Sequence, residues 1–293
     1  MRQLLFVSLL TAIVSAATPA AQDAGVAVFK SGVEQVAVAA LVRDSRGRLV
    51  TNLKASDFEL FDDGQKRPLS NVWSEPSPAS VAILMDASGS MATKMALARA
   101  TANALVSGLK PGADEVAYYS FDTTLQEVRP FTKAFTPDDA WAGSKAYGAT
   151  SLWDAIAETA KKIADRQRRR ALVVITDGVD SASAMKPNEV SAIASALDVP
   201  VYMLVISFSL EDAAREQPMR GPLADLAAWT GGDSLAVHDS QTAIAMTRQV
   251  LSELHHQYIV AFEPGTKPGW HALVLRARKP GLFVRARSGY MVH

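Results

Sequence analysis

A short segment directly after an apolar run has an oxygen-bearing side chain at every second position. The run covers residues 81–85, and Asp86, Ser88 and Ser90 follow it at alternate positions. Carboxylate and hydroxyl oxygens are hard ligands, which suit Mg²⁺, Mn²⁺ or Ca²⁺ better than zinc. Gly89 lets the backbone turn tightly between the two serines. The segment indicates a divalent-cation site, and the alternative is that the same side chains cap a helix and form a turn.

The apolar runs predict the elements that position this segment. Residues 81–85, 171–176 and 199–207 are apolar without alternation, which is typical of strands buried on both faces of a parallel sheet. Segments with helical spacing of apolar residues, such as 152–166, separate them. We predict an α/β fold with a doubly wound, mostly parallel sheet. In such sheets ligands bind at the carboxyl ends of the strands, where Asp86 lies.

Three motifs together resemble the metal-ion-dependent adhesion site of von Willebrand factor A-like domains. The first is Asp86-x-Ser88-x-Ser90, which is short and weak on its own. The second contains Thr150 in Gly-Ala-Thr-Ser-Leu-Trp-Asp-Ala, and the third contains Asp177 in Thr-Asp-Gly. They occur in the family's order, and the resemblance covers about residues 80–255. It implies a Rossmann-like α/β domain that binds Mg²⁺, with Mn²⁺ or Ca²⁺ as alternatives.

The resemblance also implies a role for each matched residue. Ser88, Ser90 and Thr150 would be direct hydroxyl ligands, and Asp86 and Asp177 would act directly or through water. Neutral ligands leave the ion with uncompensated charge, so an open position can take water or a carboxylate of a partner. Asp154 would be a helix N-terminal charge or would orient a ligand by a hydrogen bond, and Asp180 would be a rim residue or a solvated loop aspartate. Residues expected around the ligands are Gly89, Asp154, Gly178 and Asp180.

Composition narrows the classes of function. The chain has 293 residues, of which 48% are hydrophobic and 20% charged, as in an ordinary globular protein. Thirty basic and thirty acidic residues cancel, so no basic face for nucleic acid is indicated. The chain has no cysteine, which excludes disulfides, thiol catalysis and cysteine zinc sites.

The first 21 residues have the layout of a signal peptide. Arg2 gives a positive start, residues 4–14 are apolar, and small residues lead to Ala17 and Ala21. The apolar run is shorter than the roughly 20 residues that span a bilayer, although an uncleaved anchor is the alternative. No later segment reads as a membrane span. We expect a secreted or periplasmic protein.

The flanks of the α/β region read as β structure. Residues 26–75 alternate in hydrophobicity and contain the turn signal Asp-Asp-Gly-Gln at 62–65, and residues 257–293 contain further strands. We expect one small β-sandwich built from both flanks beside a domain at 80–255. Both flanks, including Val-Arg-Asp-Ser-Arg-Gly at 42–47, resemble the secreted bacterial VWFA-related (acidobacterial-type) family, which adds architecture and little mechanism.

Other polar clusters have simpler interpretations. Asp57, Asp62 and Asp63 are taken as turn residues, with a calcium cluster as the alternative. The basic run at 166–170 is expected at a helix C-terminus, where cations are favourable. The alternative is that it binds an anionic partner. Histidines are expected to be surface or isolated residues: His238, His255, His256, His271 and His293.

These observations favour a secreted, non-enzymatic binding protein. The cation would engage a carboxylate of an unidentified protein partner, in adhesion or envelope assembly. One alternative is a metal-assisted hydrolase at the same site, with Asp177 as general base. Another is a scaffold whose metal site is structural. The chain carries no G-x-S-x-G, Walker or H-E-x-x-H motif.

Overall fold

The computed structural model describes residues 35–74, 76–137, 140–141, 143, 145–166, 168–207 and 221–292. The predicted signal peptide at 1–21 lies outside the described residues, as do 26–34 and His293.

The described strands and helices follow the chain from one β-rich flank to the other. The strands are β1 (Val36–Asp44), β2 (Phe58–Asp62), β3 (Gln65–Arg67), β4 (Leu69–Trp73), β5 (Ala79–Asp86), β6 (Glu115–Phe121), β7 (Leu125–Thr132), β8 (Arg169–Thr176), β9 (Val201–Ile206), β10 (Ser234–Val237), β11 (Tyr258–Phe262), β12 (Gly269–Ala277), β13 (Leu282–Ala286) and β14 (Gly289–Val292). The helices are α1 (Met95–Ser107), α2 (Leu152–Ile163), α3 (Pro187–Ala196), α4 (Pro222–Thr230) and α5 (Ser240–His255).

A six-stranded sheet in the order β10-β9-β8-β5-β6-β7 forms the centre of the molecule. Its strands run parallel except β7, which pairs antiparallel with β6 at the edge. Every residue of β5 is buried, which explains why its sequence does not alternate. The predicted doubly wound, mostly parallel α/β fold is confirmed.

Helices cover both faces of this sheet. Val81, Ile83 and Met85 point to the core beneath α1 and α5, whereas Ala82 and Leu84 point to the core beneath α2, α3 and α4. Successive residues of one strand thus enter different cores, and both cores require apolar side chains. Truncating a fully buried residue such as Ile83 to alanine is expected to cost about 2–5 kcal/mol.

The two flanks of the chain interleave in two four-stranded antiparallel sheets. Their orders are β13-β1-β11-β4 and β14-β12-β2-β3, so β1 lies between two strands from the tail, and β2 lies between β12 from the tail and its hairpin partner β3. Apolar side chains of both sheets, including Val38, Leu60 and Phe262, form one core. This arrangement supports the division into a sandwich and an α/β domain, which we retain as a proposal.

Some predicted elements differ from those observed. The spacing of apolar residues predicts a helix over 92–109, but the observed helix begins at Met95, because Gly89–Met91 forms a 3-10 turn first. The sequence also predicts a short strand at Leu49 and Val50, and there the structure has a single bridge from Leu49 to Arg43. The short strand β14 was not predicted. No described helix is both long enough and apolar enough to cross a membrane.

Ion pairs to a buried glutamate and a pair of stacked aromatic rings join the sandwich to the α/β domain. Glu253 of α5 is fully buried and accepts hydrogen bonds from Arg43 of β1 and Arg285 of β13. Trp229 of α4 stacks on Trp270 of β12 with ring centroids 6.3 Å apart.

Candidate metal site

The carboxylate of Asp86 lies at the carboxyl end of β5 and is fully buried. One oxygen accepts a hydrogen bond from the backbone N–H of Ser88 at 2.9 Å, and the other accepts one from the Thr176 hydroxyl at 2.6 Å. Burial raises the pKa of Asp86 above its ordinary value, although the hydrogen bonds from Ser88 and Thr176 oppose this. Neutral donors therefore fix the orientation of the Asp86 carboxylate but do not compensate its negative charge.

The two serines of the first loop present adjacent hydroxyls. Ser88 is fully buried, Ser90 is exposed, and their Oγ atoms lie 3.1 Å apart. Two neighbouring ligands of an octahedral ion with bonds of about 2.1 Å are separated by about 3.0 Å. The spacing of the two hydroxyls thus fits neighbouring positions on Mg²⁺.

Backbone contacts hold the second loop against the first. The N–H of Gly89 donates to Gly148 O at 3.1 Å, and Tyr147 N–H donates to Ala87 O at 3.0 Å. A Cβ at Gly89 would lie 3.2 Å from Gly148 O, so a small residue favours this approach. Thr150 follows in the same loop and is almost fully buried.

The third loop is joined to the second through Thr150. The Thr150 carbonyl accepts hydrogen bonds from the N–H groups of Ser181 and Ala182, each at 2.9 Å, and its N–H donates to Ser181 Oγ at 3.0 Å. Through these bonds the loop after β8 is held beside the entry to α2. The three predicted motifs thus lie together at one edge of the sheet.

Asp177 lies in the third loop and is almost fully buried. One carboxylate oxygen accepts a hydrogen bond from Lys94 Nζ at 3.0 Å, and the other accepts one from Val179 N–H at 3.2 Å. The charge of Asp177 also raises the pKa of Asp86, so the two carboxylates act on each other electrostatically. A divalent cation placed between these groups would relieve that repulsion.

The surrounding aspartates hold loops rather than face the hydroxyls. Asp154 of α2 accepts hydrogen bonds from Ala184 N–H at 2.9 Å and Met185 N–H at 2.8 Å. Asp180 accepts one from Leu152 N–H at 2.8 Å, which satisfies a free donor at the start of α2. Asp180 is partly exposed and also accepts a hydrogen bond from Ser183 Oγ at 2.5 Å, so it holds the loop after β8 against α2. Gly178 has φ +85°, which favours glycine between Asp177 and Val179.

Sequence reasoning missed two residues that touch the site. Thr176 joins Asp86 to the third loop, since its Oγ1 also accepts a hydrogen bond from Gly178 N–H at 3.0 Å. Lys94 gives Asp177 a positive neighbour. Thr176 is the last residue of an apolar strand, and its polarity is the signal that could have identified it. Lys94 carries no comparable signal.

A second carboxylate cluster lies in the sandwich. Oxygens and nitrogens of Asp62, Asp63 and His271 lie within 4.8 Å of one another. However, His271 Nδ1 contacts Asp62 at 2.7 Å and its Nε2 contacts the Lys267 carbonyl at 2.6 Å, so both nitrogens serve as donors. A doubly protonated imidazole has no lone pair for a metal. We therefore interpret this cluster as a structural ion pair.

This cluster corrects two interpretations from the sequence. Asp62 is not a turn residue but a buried strand residue, which also contacts Arg67 at 3.0 Å. His271 is not isolated. Asp63 does belong to the hairpin turn, with φ +48° followed by Gly64 at +78°. His255 also has a partner, Asp114, at 3.3 Å.

The fold and the three loops define a class of α/β domain with a central, mostly parallel sheet that is covered by helices on both faces. The von Willebrand factor type A domain family matches residues 80–235, which is more than half of the chain, and the chain belongs to this family. A domain of this family indicates a role in protein interaction or adhesion, and such domains are typically non-enzymatic and often bind a divalent metal.

Solved structures are similar to this chain at low sequence identity. A von Willebrand factor type A protein from Catenulispora acidiphila is 14% identical, with a TM-score of 0.50, over 90% of this chain and 76% of that chain. BatB from Bacteroides thetaiotaomicron is 19% identical, with a TM-score of 0.45, over 60% of this chain and 98% of that one. A variant of the PilB minor pilin from Streptococcus sanguinis is 12% identical, with a TM-score of 0.48, over 61% of this chain. This chain spans 62% of the length of that pilin. No curated protein matches the sequence.

Proposed function

We propose that the protein is an exported binding protein whose domain holds a divalent cation at the carboxyl edge of the central sheet. The cation would engage an acidic side chain of a protein partner. The observation that carries this proposal is the pair of hydroxyls of Ser88 and Ser90, 3.1 Å apart, beside the buried carboxylate of Asp86. Thr150 and Asp177 would complete the oxygen ligands, and Mg²⁺ is the ion that best suits them.

The surface around this site suits a protein partner. Tyr147 is 67% exposed and Val179 is 47% exposed, and each belongs to a loop that borders the site. Exposed aromatic and aliphatic side chains beside a polar centre are typical of protein-binding surfaces. The cation would supply a strong bond to one carboxylate, and Tyr147 and Val179 would add apolar contact around it.

The contacts of Asp177 favour binding over hydrolysis. A metal-assisted hydrolase would need a general base with a free oxygen directed at a water molecule. Both oxygens of Asp177 accept hydrogen bonds, from Lys94 and Val179. Carboxylates that hold a metal ion are commonly hydrogen-bonded in this way, so we assign Asp177 to holding the cation, directly or through water.

Titration of Mg²⁺ into the purified protein tests the metal site. Calorimetry should show saturable binding at one site, and the Asp86→Asn variant should lose it. The matched control is Glu158→Gln, which removes a carboxylate from the exposed face of α2, where Glu158 pairs with Lys162 at 3.6 Å. Absence of binding by the parent protein, or unchanged binding by Asp86→Asn, contradicts the proposal.

Affinity capture from an envelope extract tests the partner. Partners retained with Mg²⁺ should be released by a chelator and should be absent with Asp86→Asn. If the parent protein and the Asp86→Asn variant capture the same partners, the result would instead favour a scaffold with a structural metal. Mass spectrometry of the protein recovered outside the cytoplasm should show an N-terminus near residue 18 or 22, in agreement with removal of the signal peptide.

A further inference from the structure

The basic run at 166–170 lines a cleft at the amino edge of the central sheet, opposite the metal-site loops. Arg169 and Arg170 begin β8, and Arg166 and Arg168 lie just before it. The cleft has a volume of about 410 Å³. This volume is within the range of small-molecule sites, roughly 300–1,000 Å³.

The opposite wall of the cleft comes from the sandwich. Ala37 and Ala39 of β1, Ile259 of β11 and Trp73 of β4 line it. The two alanines leave space in front of the arginines, and Trp73 is 41% exposed at the wall. The cleft therefore combines a charged wall with an apolar wall.

Main-chain carbonyls hold the guanidinium groups in place. Arg170 donates to the carbonyls of Leu197 at 3.2 Å and Asp198 at 3.1 Å, just after α3. Arg169 donates to the carbonyls of His255 and Gln257 at the end of α5, and Arg168 donates to Ala113 O. The run thus serves the C-termini of helices, as expected, although these are chiefly α3 and α5 rather than the preceding helix. Carbonyl acceptors orient these guanidinium groups and carry no charge of their own.

The formal charge of the lining residues is positive. They include four arginines, which are Arg166, Arg168, Arg169 and Arg170, and one carboxylate, Asp198. Asp198 is shared, because it lies 3.6 Å from Arg170 and 3.3 Å from Arg287. Glu115 lies 3.3 Å from Arg166 at the margin. Several oriented guanidinium groups in one cleft favour carboxylate or phosphate groups, which they can bind in a bidentate manner.

We propose that this cleft binds a small oxyanion with two or more carboxylate or phosphate groups. The site is separate from the metal site and does not depend on the proposed metal-dependent function. Its ligand contacts both the α/β domain and the sandwich, so binding also stabilises the junction between them.

Calorimetry with two probes tests the proposal and distinguishes the two chemistries. The protein is treated with a chelating resin, because a soluble chelator is itself a polyanion, and is titrated at low salt with pyrophosphate or with citrate. We expect saturable binding of at least one probe, which weakens as the salt concentration rises. The stronger probe identifies the group that the cleft prefers. Absence of saturable binding by both probes overturns the proposal.

Two sets of variants locate the binding. The double variant Arg166→Gln and Arg168→Gln leaves the contacts of Arg169 and Arg170 intact and should weaken binding at least tenfold. The control Arg46→Gln changes an exposed turn arginine and should bind like the parent. Ala37→Glu should abolish binding by placing a carboxylate in the cleft, whereas Ala37→Gln, of equal size, should retain it. Unchanged binding by the double variant, or equal binding by the two Ala37 variants, contradicts the assignment.

Discussion

Two buried carboxylates, Asp62 in the sandwich and Asp86 at the edge of the central sheet, differ in the partners that surround them. Burial acts to raise the pKa of Asp62, but hydrogen bonds from His271 and Gly265 outweigh it, and its pKa is lowered. Burial raises the pKa of Asp86, because its own donors, Ser88 and Thr176, are neutral. Both carboxylates have exposures of 1% or less.

This difference separates a carboxylate that stabilises the fold from one that is available to a ligand. Asp62 has the cations His271 and Arg67 in direct contact, so its charge is compensated within the protein. At the sheet edge Lys94 contacts Asp177, and among the described residues no cation donates a hydrogen bond to Asp86. A divalent ion would compensate the charge of Asp86. We therefore expect changes in the first cluster to affect folding and changes in the second to affect metal binding.

The largest effect is expected from Asp62→Asn. This change leaves the buried His271 and the half-buried Arg67 without their carboxylate, and breaking a buried pair costs about 3–5 kcal/mol. Urea unfolding should show this decrease in the free energy of unfolding. The matched change Asp63→Asn, at the more exposed neighbour, should cost less than about 1 kcal/mol. Equal effects of the two changes would abolish the distinction between the clusters.

The next largest effect is expected from Asp86→Asn, which should lose the stabilisation that metal binding gives to the parent protein. At Mg²⁺ concentrations about 100-fold above the dissociation constant, binding should stabilise the parent protein by about 2.7 kcal/mol, and the variant should lose this gain. Without metal the variant should be at least as stable as the parent, because burial of the charged carboxylate is unfavourable. A large loss of stability in metal-free buffer would show that Asp86 stabilises the fold as Asp62 does.

A smaller effect is expected from Lys94→Met, which keeps an apolar stem and removes the ammonium group beside Asp177. The positive charge of Lys94 opposes a second cation, so its removal should tighten Mg²⁺ binding about tenfold, or ~1.4 kcal/mol. Calorimetry measures the change directly, and Lys94→Arg should leave the affinity near that of the parent. Weaker binding by Lys94→Met would indicate that Lys94 supports the ligand loops instead.

The smallest effect is the pH dependence of the sandwich cluster. Hydrogen bonds to the Lys267 carbonyl and Asp62 raise the pKa of His271, so its contribution to stability is complete below about pH 6.5 and is lost as pH rises through the raised value. The lowered pKa of Asp62 makes its contribution complete above pH 3.8 and lost as pH falls through the lowered value. Urea unfolding between pH 5 and 9 should show a decline that His271→Gln reduces. The control His256→Gln, at an exposed residue, should retain the decline.

The central sheet was predictable because its inner strands require apolar side chains on both faces. Residues of β5 and β8 enter apolar cores on both faces, so each strand is an unbroken apolar run and can be recognised without its neighbours. Local signals also predict a helix over 221–229 that ends at Gly231-Gly232 and an edge strand at 234–237, and the structure has α4, Gly231 with φ +85° and β10 there. Belonging to the von Willebrand factor type A family was predicted from Asp86, Ser88, Ser90, Thr150 and Asp177 and is confirmed by the family match.

The contacts that were not predicted join residues far apart in the chain. Asp62 and His271 are separated by 209 positions, and nothing near either residue signals the other. The same holds for Lys94 and Asp177, which are 83 positions apart. Local patterns predict which segments are strands, whereas the partner of each side chain depends on how the sheets are assembled. For this reason the ligand set remains a prediction while the sheet is confirmed.

The interleaving of the two flanks has a consequence for how the chain acquires its structure during synthesis. In the sandwich, β1 pairs with β11 and β13, so Ala40 lies opposite Ala286, and that partner follows the whole α/β domain in the chain. The α/β domain precedes the tail in the chain and can fold while β1 lacks its partners β11 and β13 and β2 is paired only with β3. The α/β domain is inserted between the two flanks, and its folding brings them together, which reduces the entropy lost when the sandwich closes. Until then β1 and one edge of β2 are open, and a truncated chain that lacks the tail would expose them to aggregation.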